Sequence, residues 1–222
     1  MELKFEEIIR EKAPALTVAL IEADINNPET DDALWAQIET VARRIKDSYE
    51  MEMVNKRPAI AATRTAYKAF GKEPNRYRPS AEALTRRAVK GLELYRTLAV
   101  IDLVNLVSLA TGHSIGAFDA DQIKGGVLTL GVGHEGEPYE AIGRGQLNIH
   151  GLPVWRDEIG GVGTPTSDND RTKLSPVTQH LVMTVNMYSA EPSADETVGM
   201  LVELLERYAS ATNIQTRLYS VS

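Results

Sequence analysis

Apolar positions along the chain change period twice, and each change predicts a different kind of element. MELKFEEIIREK is an acidic amphipathic opening that predicts a short helix. ALTVALIEADI (15–25), rich in branched residues at Val18, Leu20, Ile21 and Ile25, predicts a buried strand. Leu34, Ile38, Val41 and Ile45 then recur at helical spacing behind a start signal of Thr30, Asp31 and Asp32. Ser80, just after Pro79, predicts the N-cap of a helix that Gly91 stops. Leu98 to Ala110 predicts a mostly apolar helix closed by Gly112. From Gly126 onward the period shortens to two. GVLTLGV, EPYEAI, QLNIHGLPVWRDE and HLVMTVNMYS predict strands separated by glycine-bearing turns. SADE (193–196) is a capping box for a helix through Val198, Leu201, Leu204 and Leu205, and IQTRLYSV predicts a final strand.

No repeat, low-complexity linker or glycine-rich break interrupts this order. Residues 1–222 therefore read as one domain of the α/β class (α+β layered), with a large mixed sheet flanked by helices. One stretch fits none of the elements. IGGVGTPTSDNDRTK (159–173) holds glycines, hydroxyls, carboxylates and amides, with Val162 its one sizeable apolar residue between the ends. It predicts a loop of the kind that brings backbone and small polar groups against a small-molecule ligand.

Composition narrows the chemistry. No apolar run approaches the ~18 residues of a membrane span, so a membrane is not an expected partner and a cytoplasmic setting is expected. The absence of cysteine excludes disulfides, Cys-ligated zinc and a thiol nucleophile. His113, His134, His150 and His180 stand at spacings without a ligand signature, and neither a metal nor a cofactor is expected. There is no G-x-S-x-G elbow and no phosphate-binding glycine loop. The net charge of −7 argues against indiscriminate nucleic-acid binding, yet residues 55–96 carry +8 and the remainder −15. That asymmetry points to an anionic partner for one face. Arg57, Arg64, Lys68, Arg76, Arg78, Arg86 and Arg87 are its candidate contacts.

Neutral polar groups complete the candidate site. Asp102 and Asn105 lie three residues apart in the apolar helix, hence on one face. Phe118 and Asp119 follow in the sequence AFD, and Thr184 and Asn186 share a face of the strand HLVMTVNMYS. Segment 100–125, VIDLVNLVSLATGHSIGAFDADQIKG, resembles a segment of the phenylalanyl-tRNA synthetase β subunit, sharing the frame V-[IV]-D-[LI]-x-N, an intervening helix, then G-x-x-[IL]-x-A-F-D-A-D-x-[IL]-K-G. The resemblance extends over about residues 15–190, takes in Arg57–Pro58 and the Gly160–Gly161 loop, and corresponds to the B3/B4 editing module of that synthetase. In the synthetase this module hydrolyses misattached tyrosine from tRNA.

The resemblance implies a free-standing, trans-editing type of aminoacyl-tRNA deacylase whose partner is the acceptor end of tRNA. It places Asn105, Phe118, Asp119 and Thr184 or Asn186 around the amino acid, and Ser167 and Asp168 of the neighbouring loop are further candidates for contacting it. Backbone amides of Gly160 and Gly161 are the expected carbonyl binders. Thr164, Thr166, Ser167 or Asp168 would hold the water or amino group, and Arg171 a terminal phosphate. Two departures stand out: Gly116 occupies the place of a family histidine, and the strand lacks the glutamate that reads the tyrosine hydroxyl. Tyrosine specificity does not carry over. The alternatives are a non-catalytic module that binds a free amino acid or tRNA, and a hydrolase of small esters or amides.

Overall fold

The computed structural model describes residues 1–221. Its strands are β1 (Glu2–Phe5), β2 (Thr17–Asp24), β3 (Ile115–Asp119), β4 (Val127–Val132), β5 (Glu140–Ala141), β6 (Gly145–Gln146), β7 (Pro153–Arg156), β8 (Gly161–Gly163), β9 (His180–Met187) and β10 (Thr212–Ser220). The helices are α1 (Glu7–Lys12), α2 (Asp32–Ser48), α3 (Pro58–Ala69), α4 (Ser80–Val89), α5 (Ala99–Thr111) and α6 (Ala194–Tyr208). The mixed α/β layering expected from the sequence is present, with its strands distributed over two four-stranded sheets. One is mixed, in the order β1-β4-β7-β8, with β1 parallel to β4. The other is antiparallel, in the order β10-β2-β9-β3, and a short β5-β6 hairpin stands apart.

Strand parity dictates the layers. On β2, Ala19, Ile21 and Ala23 point to a helical layer, whereas Val18 and Leu20 point to the mixed sheet. β9 repeats the pattern, with Met183 and Val185 on the helical side and Val182 between the sheets. Both faces are apolar because both are covered, which is why β2 reads as a near-continuous apolar run. α5 sits among the other helices with ten of its thirteen residues buried, as an all-round apolar sequence requires. Gly112, at φ +83, closes it in the left-handed conformation that glycine adopts freely.

Several elements differ from the sequence expectation. The opening stretch divides into β1 and α1, because Leu3 has a strand partner in Leu128 and is buried against it. The N-cap of α4 is Pro79, and Ser80 is the first helical residue. The Ser80 amide is instead drawn to the Pro165 carbonyl at 2.7 Å. QLNIHGLPVWRDE is interrupted because Lys72 Nζ takes the carbonyls of Asn148 and His150 at 2.8 and 2.6 Å. Within the expected loop 159–173, Val162 is fully buried and brings Gly161–Gly163 into the mixed sheet as β8.

Candidate functional site

Between α4, α5, β3 and the segment 164–174 lies a cavity of about 260 Å³. Parity again selects its lining. Ile115 and Ala117 of β3 face it from the helical side, joined by Leu84, Ile101, Val104 and Leu174. Its polar lining is Ser80 of α4, Asn105 and Ser108 of α5, and Thr164, Ser167 and Asp168 of the segment after β8. The Asn105 side chain forms no hydrogen bond with any described residue and is half-buried, so its amide is available to a ligand. The Ser167 hydroxyl has only a long contact, 3.4 Å to the Asp168 carbonyl.

The wall formed by 164–167 is held in place from several sides. Thr164 Oγ1 accepts from the amides of Thr166 and Ser167 at 3.2 and 3.1 Å and donates to the Ser167 carbonyl at 3.0 Å. Its hydroxyl is therefore occupied in shaping the turn. The Tyr139 hydroxyl donates to the Ser167 carbonyl at 2.8 Å, and the Thr166 and Tyr67 hydroxyls meet at 2.9 Å. Such cross-bracing pre-forms the cavity.

Asp168 is the electrostatic centre of this wall. The residue is half-buried, but its carboxyl is enclosed, and its Oδ2 accepts from the Ala117 amide at a long 3.3 Å. Loss of water outweighs that bond and pushes the carboxyl up to about 7. The nearest cation on the lining, Lys173, is neutralised by Asp170 at 2.9 Å. The cavity thus offers a carboxyl poised to exchange a proton near neutrality and no unpaired cation among its described lining residues.

Other expected site residues lie elsewhere. Thr184 and Asn186 do share a face, but it is the face between the sheets, together with Gly116 and Phe118. Asn186 Oδ1 accepts from Trp155 Nε1 at 3.1 Å. Phe118 is fully buried core, and Asp119 accepts from the Asp121 amide and from the Thr178 hydroxyl at 3.1 and 2.9 Å. Asp102 faces away from Asn105, accepting from Thr30 Oγ1 at 2.5 Å and from the Thr97 amide at 2.7 Å. The Gly160 amide donates to Asp157 Oδ1 at 3.1 Å, and Gly161 is packed so closely that a Cβ would meet the Tyr139 ring at 2.6 Å. Neither glycine lines the cavity, so their amides are not its carbonyl binders. Arg171 is held by the same Asp157 at 2.8 and 3.0 Å and is withdrawn from phosphate.

The absent histidine has a steric explanation. A Cβ at Gly116 would stand 2.6 Å from the Phe118 ring, and one at Gly163 would stand 2.5 Å from it. The ring occupies the space between the two glycines. Gly116→His is therefore expected to destabilise the protein by about 1–3 kcal/mol through overpacking. Urea unfolding checks this; an unchanged midpoint would show that the ring gives way freely.

Of the basic block, Arg57 and Arg64 are corrections. Arg57 is buried and donates to the carbonyls of Leu109 and Ala110 at 2.8 and 2.9 Å, capping the C-terminus of α5. Arg64 is buried against Glu82 at 2.8 Å, and half-buried Arg86 is bound to the same carboxylate at 2.8 Å. Burial draws these cations inward because α5 and Glu82 supply carbonyl and carboxylate partners. Lys68, Arg76 and Arg78 remain exposed, with Arg78 two residues before the cavity-lining Ser80.

Sequence comparison adds the family. The B3/4 domain family model matches residues 62–207, from within α3 to within α6, a span that contains every residue lining the cavity. The chain belongs to the B3/4 domain family. No curated protein matches this B3/4 protein in sequence. Among solved structures it is similar to an N-terminal fragment of the phenylalanyl-tRNA synthetase beta-subunit from Pyrococcus horikoshii. The identity is 14% and the TM-score 0.47, covering 96% of this chain and 50% of that one. The B3/4 chain thus spans half the length of that fragment. Among the described residues no helix is long and apolar enough to cross a membrane.

Proposed function

We propose that the cavity receives the aminoacyl group of an aminoacyl-tRNA and that Asp168 promotes hydrolysis of its ester. The observation that carries this reading is the enclosed Asp168 carboxyl, pushed up to about 7, lining the same cavity as the free amide of Asn105. A general base works best when its pKa lies near the operating pH. Ionised Asp168 takes a proton from water as the water oxygen bonds to the ester carbonyl carbon. The Asn105 amide N–H donates to the oxygen on which negative charge develops. The tetrahedral intermediate then collapses, the carbon–oxygen bond to the ribose breaks, and the ribose oxygen takes the proton. An ester is activated enough for a positioned water to suffice, without a covalent nucleophile.

The lining supports an apolar amino-acid side chain against Leu84, Ile101, Val104 and Leu174. With Lys173 already paired, a free α-carboxylate finds no cation, whereas an ester needs none. The cavity thereby favours a charged tRNA over a free amino acid. Exposed Arg76 and Arg78 precede Ser80 at the rim and supply the phosphate contacts.

Single-turnover release of amino acid from charged tRNA, followed across pH, tests the proton transfer. The rate is expected to rise with pH, bend at about 7 and level off above it, because only ionised Asp168 accepts a proton. A rate with no bend between about pH 5.5 and 8.5 would remove Asp168 from this role. A second reading, binding without hydrolysis, is favoured by Gly160 and Gly161 lying outside the cavity lining, the Gly160 amide being taken by Asp157. It predicts that Asn105→Ala weakens the binding of charged tRNA while no amino acid is released by either protein.

A further inference from the structure

A second concavity, of about 430 Å³, lies between α2 and the end of α4, with Trp35, Arg43, Lys46, Gly91 and Leu94 on its walls. The segment 91–97 that leaves α4 there exposes Leu92 and Tyr95, the latter by 72%. The Arg87 guanidinium stands 4.5 Å over the Tyr95 ring, and its Nε donates to the Glu93 carbonyl at 2.6 Å. The pair is thus ordered before any partner arrives. Trp35 is matched by Arg96, 6.0 Å from its ring and tied to the Thr30 carbonyl at 2.9 and 2.6 Å. Arg43 and Lys46 on the groove walls and Lys90, next in sequence to Gly91, are exposed, and none has an ion-pair partner among the described residues. On the walls Arg43 and Lys46 are matched in number by Glu39 and Glu93, and Arg96 is paired with Asp32 at 2.8 Å, so the excess of cations comes from Arg87 and Lys90 beside the groove.

The groove and the cavity both border α4. Ser80, Leu84 and Ala88 recur every four residues along one stripe of α4, Ala88 on the groove side, and Gly91 follows just past the helix end. Ser80 and Leu84 line the cavity, and Gly91 lines the groove. The helix between them spans about 15 Å at 1.5 Å per residue.

From this arrangement we infer that the groove binds single-stranded RNA, with one base stacked on Tyr95 and the strand running along this face of α4 towards the cavity. An aromatic face stacks any base, and flanking cations follow the backbone whatever its sequence. The unpaired Lys46 on the wall and Lys90 beside Gly91 favour a polyanion over a protein partner, whose contact surfaces are depleted of lysine. The direction of the strand rests on the proposed function of the cavity; stacking on Tyr95 does not.

The test is fluorescence anisotropy of the full chain with a labelled mixed-sequence oligoribonucleotide of about 12 nucleotides, single-stranded or annealed to its complement. The single strand is expected to bind more tightly than the duplex. Tyr95→Ala should raise its Kd about tenfold or more, whereas Tyr95→Trp retains it. Lys46→Ala with Lys90→Ala should flatten the salt dependence by about 1.4 in log–log slope. With charged tRNA, Tyr95→Ala should raise KM and leave kcat nearly unchanged. Absence of binding by the unmodified protein, equal binding of the duplex, or an unaltered Kd in Tyr95→Ala would each overturn the inference. Loss of self-association in Tyr95→Ala without any effect on RNA would also overturn it, in favour of a protein interface. Asp168→Asn should bind the oligonucleotide as tightly as the unmodified protein. If Asp168→Asn also hydrolyses at the full rate, the cavity reading fails while the groove stands.

Discussion

Asp168→Asn is expected to lower the single-turnover rate of aminoacyl ester release by at least about 100-fold, the loss that follows removal of a general base. The amide keeps the shape of the side chain and can still accept from Ala117, so the cavity should survive. Stability should move in the opposite direction to activity. Burial raises the folded-state pKa of Asp168 from 3.8 to about 7. The folded protein therefore holds this proton more tightly than the unfolded chain does. Its contribution to stability is fully present below about 3.8 and is gone above about 7. The asparagine variant lacks this loss. Raising the pH from about 5 to 8 should shift the stability difference in its favour, as read by urea unfolding at both values. A variant that is inactive and also selectively destabilised at the higher pH would contradict this account of the carboxyl. Activity bought with an uncomfortable charge is a recurring compromise at reactive sites.

The second large effect concerns the scaffold. Glu82 is fully buried between Arg64 and Arg86, each at 2.8 Å. Glu82→Ala leaves the buried Arg64 guanidinium without its counter-charge, at a cost of about 3–5 kcal/mol. For a chain of this size that lowers Tm by roughly 10 °C. Arg86 is more exposed and can turn to water, so Arg64 carries most of the penalty. Replacing both partners, Arg64→Met with Glu82→Leu, is expected to recover most of the stability, since the cost comes from the orphaned charge. Thermal unfolding of the three proteins checks the comparison. Equal Tm values for the single variant and the unmodified chain would mean that the pair is not isolated from water as described.

Much of the fold was legible because its signals are local. The branched apolar run of β2, the period-two runs of β4 and β9, the Ser193 capping box and the left-handed Gly112 all depend on neighbouring residues. β1 was hidden because Leu3 acquires its meaning only beside Leu128, far away in sequence. The site was legible in its parts but not in its faces. Asn105, Ser167 and Asp168 were identified and do meet in the cavity. Thr184 and Asn186 were correctly given one face, but which layer that face meets is set by tertiary packing, which a period of two cannot reveal. Ile115 and Ala117 were missed for the same reason: the AFD sequence drew attention to Phe118 and Asp119, which point the other way. The basic block showed its net sign but not its burial. Arg57 and Arg64 look like Arg76 and Arg78 until α5 and Glu82 take them inward.

The central claim is that this B3/4 protein releases an amino acid from tRNA through its cavity. Its most direct test is a panel of tRNAs charged with each amino acid, incubated with an excess of the folded full chain. Released amino acid is the readout, and Asp168→Asn is run in parallel. The account predicts accelerated release from one or more tRNAs bearing an apolar amino acid, and none above background with the variant. Background release across the whole panel, or equal release by both proteins, would contradict it.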